Sequence, residues 1–157
     1  MGSNRLRDER ATATLVQGGV SLDAHATHRT SDGWRDNSRS RASSQGLGVQ
    51  WAGDWLRVGA SLAQDDLTMR LPGPVTPAEF AQNPRKANEN NPGSLANNRQ
   101  TVFAQAELGA WQLAFDAGHR TRESRVNYPT YFFNYDIVAD TQAARLSLGL
   151  CPQQNVM

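Results

Sequence analysis

Residues 46–64 read GLGVQWAGDWLRVGASLAQ, and their alternation decides the fold. Leu47, Val49 and Trp51 alternate with Gly46, Gly48 and Gln50. Beyond the Gly53-Asp54 pair, Leu56, Val58, Ala60 and Leu62 alternate with Arg57, Gly59, Ser61 and Ala63. A period of two sends successive side chains to opposite faces of a strand, here one apolar and one polar. Two such runs across a short turn that begins with Gly read as a β-hairpin. Pairing Ala52 with Trp55 sets Trp51 opposite Leu56, so both apolar rows share one side.

The device occurs twice more. Before it, Leu15 and Gln17 lead through Gly18-Gly19 to Val20, Leu22, Ala24 and Ala26. After it, Val102, Ala104, Ala106 and Leu108 lead through Gly109-Ala110 to Trp111, Leu113, Phe115 and Ala117. A last strand is expected over 138–150, with Ala144, Leu146, Leu148 and Leu150 on its apolar face. The fold class read from this is all-β: an antiparallel up-and-down meander of about seven strands.

Longer connections separate the hairpins. Residues 30–40 contain SDGWRDNSRS, a composition of loops. Residues 66–99 hold Pro72, Pro74, Pro77, Pro84 and Pro92 and read as one long irregular stretch, because proline breaks strand ladders and helices. Within it, Thr76 as N-cap and Pro77 at the first helical position predict one helical turn. Loops of this length in compact domains are functional or disordered. Residues 120–136, with Tyr128, Tyr131, Phe132, Phe133 and Tyr135, read as a second sizeable loop.

Short turns and long loops alternate along the chain, so all short turns fall at one sheet edge and all long loops at the other. That asymmetry, with strands alternating apolar-out and polar-in, is the pattern of a transmembrane β-barrel. No run approaches the roughly 18 apolar residues of a membrane helix. The mean hydropathy of −0.61 is no objection, because a barrel dilutes each apolar position with a polar one. Trp51, Trp55 and Trp111 adjoin short turns, where a membrane–water boundary favours Trp. Trp51 and Trp111 are expected toward lipid and Trp55 inward.

The charge balance bounds the partners. A net charge of +1 makes no case for nucleic acid. Cys151 is the only cysteine, which excludes a disulfide framework and a cysteine metal cluster. His25 and His28 have odd spacing on one strand and face opposite sides, so no metal site is expected. Asp23, Glu107 and Asp116 are expected on the polar face without a hydrolytic motif, and no catalytic residue or cofactor is expected. Arg29, Arg35, Arg39, Arg41, Arg70, Arg85, Lys86, Arg99, Arg120, Arg122 and Arg125 are expected at the long-loop edge, facing solvent, the phosphates of lipopolysaccharide or an anionic ligand. The N-terminus has no apolar signal segment, and seven strands do not close in the even number usual for bacterial barrels. Both favour a piece of a larger barrel.

Three stretches carry a resemblance. Gly2-Ser3-Asn4 with Ala11 to Leu15 and Gly18-Gly19 is similar to the first barrel strands that follow a plug domain. Ser31-Asp-Gly-Trp-Arg-Asp-Asn-Ser38 resembles a DGYRDNS-type loop. Leu71-Pro-Gly-Pro-Val-Thr-Pro-Ala-Glu-Phe80 with Asn83-Pro-Arg85 resembles a loop of iron-uptake members. Together they resemble the early barrel of TonB-dependent outer-membrane receptors of the ferric-siderophore and ferric-citrate type.

The resemblance implies residues 1–150 as a partial receptor barrel and 151–157 as an unstructured tail. It implies the bacterial outer membrane as location, and outer-membrane lipid and lipopolysaccharide as surroundings. An iron-chelate small molecule is the implied ligand, with TonB a partner of the full-length parent only. Candidate ligand contacts at the outer rim are Trp34, Arg35, Arg120, Arg122 and Tyr128. A passive porin- or adhesin-like barrel and a soluble barrel or sandwich with an apolar ligand are the alternatives.

Overall fold

A computed structural model describes residues 3–150. Seven strands form one sheet in the order of the sequence: β1 (Arg7–Gln17), β2 (Val20–Ser31), β3 (Ser40–Ala52), β4 (Leu56–Leu71), β5 (Asn91–Leu108), β6 (Trp111–Tyr128) and β7 (Phe133–Leu150). Every neighbouring pair is antiparallel. The all-β meander read from the alternation is therefore the fold. One short helix, α1 (Pro77–Gln82), interrupts the long loop. It starts where Thr76 predicts it: Thr76 Oγ1 accepts from the Glu79 N–H, and the Glu79 carboxylate accepts from the Thr76 N–H. That reciprocal pair satisfies two donors the first turn would otherwise leave open.

Two turns have the expected pairing, with Gln17 opposite Val20 and Leu108 opposite Trp111. Gly18 and Gly19 both take positive φ (57° and 79°), which the two central positions of a tight hairpin require. The β3–β4 turn differs. Ala52 pairs with Arg57 and Trp51 with Val58, two residues beyond the expected partners Trp55 and Leu56. Gly53 does not take the positive φ that a Gly-first two-residue turn demands, and its N–H closes the turn on the Leu56 carbonyl at 2.9 Å. A shift of two preserves side-chain parity, so the apolar rows still share one side. Trp55 extends the ladder through its carbonyl, 2.8 Å from the Glu107 N–H, which leaves it on the polar side by register.

The strands run further toward the long-loop edge than expected. β4 continues to Leu71, β5 begins at Asn91, β6 ends at Tyr128, and β7 begins at Phe133. The 66–99 stretch is thus a loop only over 72–90, and the 120–136 stretch only over 129–132. Pro92 sits inside β5, opposite Arg70, at the second residue of the strand. Proline is tolerated near a strand's start, where few ladder bonds are forfeited. Arg29, Arg41, Arg70, Arg99, Arg120, Arg122 and Arg125 all lie in strands rather than loops.

The register assembles the single-strand rows into one apolar band. Leu15, Leu22, Val49, Ala60, Val102, Ala117 and Ala144 form a ladder row that is apolar in all seven strands. One row toward the long loops, Ala13, Ala24, Leu47 and Leu62 continue the band, but Gln100, His119 and Gln142 end it in β5–β7. Toward the short turns, the band extends through Leu56, Ala106, Leu113 and Leu148, then through Leu108, Trp111 and Leu150. Both limits descend from β1 to β7 by four to six residues, about 14–20 Å along strands that together span about 29 Å. The band therefore slants at about 25–35° to the ladder rows, close to the roughly 35–45° tilt of barrel strands.

Above the band the two sides exchange character. Leu67, Leu95, Met69, Val126, Ile137 and Tyr135 share what is lower down the polar side. Opposite them, Arg41, Thr68, Ser94, Arg125 and Asp136 occupy the side that carries the band. Among the described residues no apolar side chain is fully buried, and Leu47, Leu62 and Val102 are about half exposed. The described strands form this one sheet, with no second sheet packed on it among the described residues.

Candidate ligand-binding surface

The candidate contact residues fall into two groups that the fold keeps apart. The first is at the rim, where the 32–39 loop meets the 72–90 loop. Arg35 joins them: its Nε and Nη2 donate to the Lys86 carbonyl (3.1 and 2.7 Å), and its Nη1 donates to the Gly73 carbonyl (2.9 Å). Its guanidinium is thus spent on backbone. Asp36 donates its N–H to the Arg85 carbonyl at 2.9 Å, and Asn37 Nδ2 donates to the Glu89 carbonyl at 3.3 Å. Trp34 packs on Phe80 of α1, with ring centroids 6.2 Å apart. The third loop joins through Tyr131, whose hydroxyl donates to Glu89 Oε1 at 3.1 Å. The rim is a preassembled collar in which Trp34 and Arg35 hold loops together.

A charged hydrogen bond contributes about 1.5–3 kcal/mol where no water replaces it. Arg35→Gln is expected to loosen the collar locally, raising amide exchange across 72–90 by at least about tenfold for a loss near 1.5 kcal/mol, with the sheet unaffected. Equal exchange in both proteins would show that Arg35 does not fasten the loops.

Glu79 is the electrostatic centre of the long loop. Lys86 Nζ donates to its carboxylate at 2.6 Å, Thr76 binds it through N–H and hydroxyl, and Asn88 Nδ2 reaches it at 3.3 Å. These donors, Lys86 first, hold its pKa at about 2, below the ordinary 4.5. A carboxylate whose pKa falls on folding contributes stability above its unfolded pKa and loses it as pH falls through the folded value. The α1 cap is expected to persist at pH 4 and to fail as pH drops through about 2. A carbon-13 titration of the Glu79 carboxyl checks this; a midpoint near 4.5 would show the cap to be open in solution.

The second group is on the sheet. Arg120 and Arg122 belong to β6, on the polar side, and Arg99 of β5 stands directly opposite Arg120. Like charges in a directly opposed pair destabilise a sheet unless compensated. Arg120 is tied on one side, its Nε donating to Asn97 Oδ1 at 2.5 Å. Asn97, almost fully buried, passes the connection to Asp65 (2.9 Å), which accepts from Ser44 at 2.6 Å. Four strands are linked by this chain of polar contacts. Arg7, Arg10, Arg39, Arg85 and Arg125 each meet a carboxylate, whereas Arg99, Arg120 and Arg122 form no ion pair among the described residues. Three guanidiniums on adjacent strands offer a place for a multiply charged anion. Sequence reading named Arg99 at the long-loop edge but not among the candidate contacts, because it lay in the stretch taken for loop; its parity with Phe103 on one strand was the available signal.

Tyr128 closes β6 on the same side, its ring centroid 6.2 Å from that of Phe133. It stands six residues from Arg122, about 20 Å along the strand, and so belongs to the aromatic patch near the rim. On the opposite side a cleft of about 700 Å³ is lined by Arg39, Arg41, Arg70, Arg125, Pro92 and Asp136, among others.

Three glycines shape the polar side between β2 and β5. His25 lies over Gly46, Asp23 over Gly48, and Phe103 over Gly59, each where a Cβ would stand. Arg57 in turn stacks on the Phe103 ring at 5.3 Å. No helix of the described residues is long and apolar enough to cross a membrane. No family model, curated protein or solved structure matches this chain.

Proposed function

We propose that this chain is part of the wall of an outer-membrane β-barrel of the TonB-dependent receptor type, serving uptake of an iron chelate. The slanted apolar band carries this reading. A single sheet with no buried apolar residue among the described residues needs another medium to cover that side, and hydrocarbon does so. A descent of four to six residues across the sheet agrees with a level membrane crossed by tilted strands. The exchange of character above the band agrees, because strands of 18 residues exceed the 9–11 that span a bilayer and their upper parts stand in water.

On this reading the polar side faces the lumen. Arg99, Arg120 and Arg122 attract an anionic iron chelate there, and Tyr128, near the collar, lines its approach. The Arg39–Arg41–Arg70–Arg125 cleft faces outward, toward the sugar phosphates of lipopolysaccharide above the hydrocarbon. TonB acts on the full-length parent, through parts other than this sheet.

The test is partition. Refolded chain is expected to enter detergent micelles and lipid vesicles and to show β-sheet circular dichroism only there. A water-soluble monomer with the same spectrum would defeat the membrane reading. Ion conductance by the reconstituted chain alone would favour a porin-like passage instead.

A further inference from the structure

An apolar field stands directly above the arginine cluster, on the same side of the sheet. One ladder row above Arg122, about 7 Å along the strands, the positions are Leu67, Leu95, Ser124 and Ile137. One row higher they are Met69, Gly93, Val126 and Tyr135. Gly93 does not interrupt that row. A Cβ there would stand 3.3 Å from Met69 Cγ and 3.7 Å from Val126 Cγ2, so these two side chains close over it. The Tyr128–Phe133 pair tops the field, just below the collar. Three such rows over four strands cover about 400 Å², a size at which exposed apolar patches are commonly functional. Ile137, Tyr135 and Phe133 are 44, 45 and 54% exposed, so the collar leaves them open.

A lumen filled with water has no use for hydrocarbon at this place. Membrane lipid does not reach it, because the field lies on the side opposite the band. A ligand that is only an anion would engage the arginines and leave the field wet. Resting on the membrane-barrel reading, we infer that the ligand of this wall is an amphiphile. Its anionic group lies on Arg99, Arg120 and Arg122, which form no ion pair of their own among the described residues. Its hydrocarbon or aromatic arm rises over Leu95 and Val126 toward Tyr128. The charged end sits deeper and the arm points to the rim, because the field lies between the cluster and the collar.

The experiment titrates the full chain, in phosphatidylcholine nanodiscs, with octyl phosphate, inorganic phosphate and 1-octanol. The first probe carries both chemical features and each of the others carries one. None carries iron, so the wall is read by itself. The methyl signals of Leu95 and Val126 and the Arg122 Nε–H signal are followed by nuclear magnetic resonance. Octyl phosphate is expected to shift all three together and to bind at least about tenfold more tightly than phosphate, because each methylene taken out of water adds affinity. Phosphate is expected to shift Arg122 alone, and 1-octanol to shift the Leu62 and Val102 methyls of the band. The double variant Leu95→Ser, Val126→Ser is expected to bring octyl phosphate down to the affinity of phosphate, which it leaves unchanged. Arg122→Gln is expected to weaken both. Equal affinities of the two phosphates for the native chain would overturn the proposal without any variant. So would octyl phosphate that shifts the band methyls and not those of Leu95 and Val126. A chain that folds in water and stays out of the discs would instead defeat the membrane reading, and the same titration in water would still decide the amphiphile site.

Discussion

On the membrane-barrel reading, Ala60→Arg is expected to lower the folded, lipid-inserted fraction of the chain by about 30- to 1,000-fold, the equivalent of roughly 2–4 kcal/mol at mid-bilayer. Ala60 stands inside the band, between Val49 and Val102 and two residues from both Val58 and Leu62. A guanidinium there meets only apolar side chains in its own ladder row. Thr14→Arg is the matched comparison. Thr14 lies at band height on the other side, opposite Asp23, where a cation gains a partner. Urea titration of both variants in vesicles measures the difference. If Thr14→Arg proves the costlier change, the assignment of sides is inverted, and the apolar rows do not face lipid.

The second large effect is expected at Gly59. A Cβ there falls 2.9 Å from the Val49 carbonyl oxygen and into the Phe103 ring. The ring can rotate away; the carbonyl belongs to the β3–β4 ladder and cannot. Gly59→Val is therefore expected to cost about 2–3 kcal/mol, as overpacking does in well-fitted sites. Adding Phe103→Ala is expected to recover only part of this, because the carbonyl contact persists. Full recovery would show that the ring alone imposes glycine. The same pair tests the Arg57 stacking, which loses its platform in either variant.

How far the sequence disclosed this arrangement depended on parity. Where apolar residues alternated against polar ones on a constant side, as in 46–64 and 102–117, the strands and the shared side were legible, and in 102–117 the partners as well. Beyond Gln64, Gln100 and Ala117 the alternation changes sides, with Leu67, Leu95 and Val126 taking the parity that Ser61, Thr101 and Asp116 hold lower down. A pattern that inverts within one strand looks like no pattern, so the upper parts of β4–β7, half of β5 and of β6, read as loops. Pro92 reinforced the error, although a proline at a strand's second residue forfeits little. The Gly53 turn was misread because Gly at the first position permits a positive φ without requiring it. The rim residues were visible as residue types, but their use was not. Arg35 binds carbonyls at Gly73 and Lys86, far along the chain, and nothing local announces that. The Arg99–Arg120 opposition needed the exact partner of each strand before it appeared.

Each strand has only its neighbours in sequence for ladder partners, from β1 with β2 through β6 with β7. No pairing waits for a distant part of the chain. Hairpin closure is therefore the largest loop entropy any step must meet, and the 72–90 connection is its longest case. Such a meander can be laid down one strand at a time, from either end. Each new strand finds its template already formed, so the chain never has to hold more than one unmatched strand at a time.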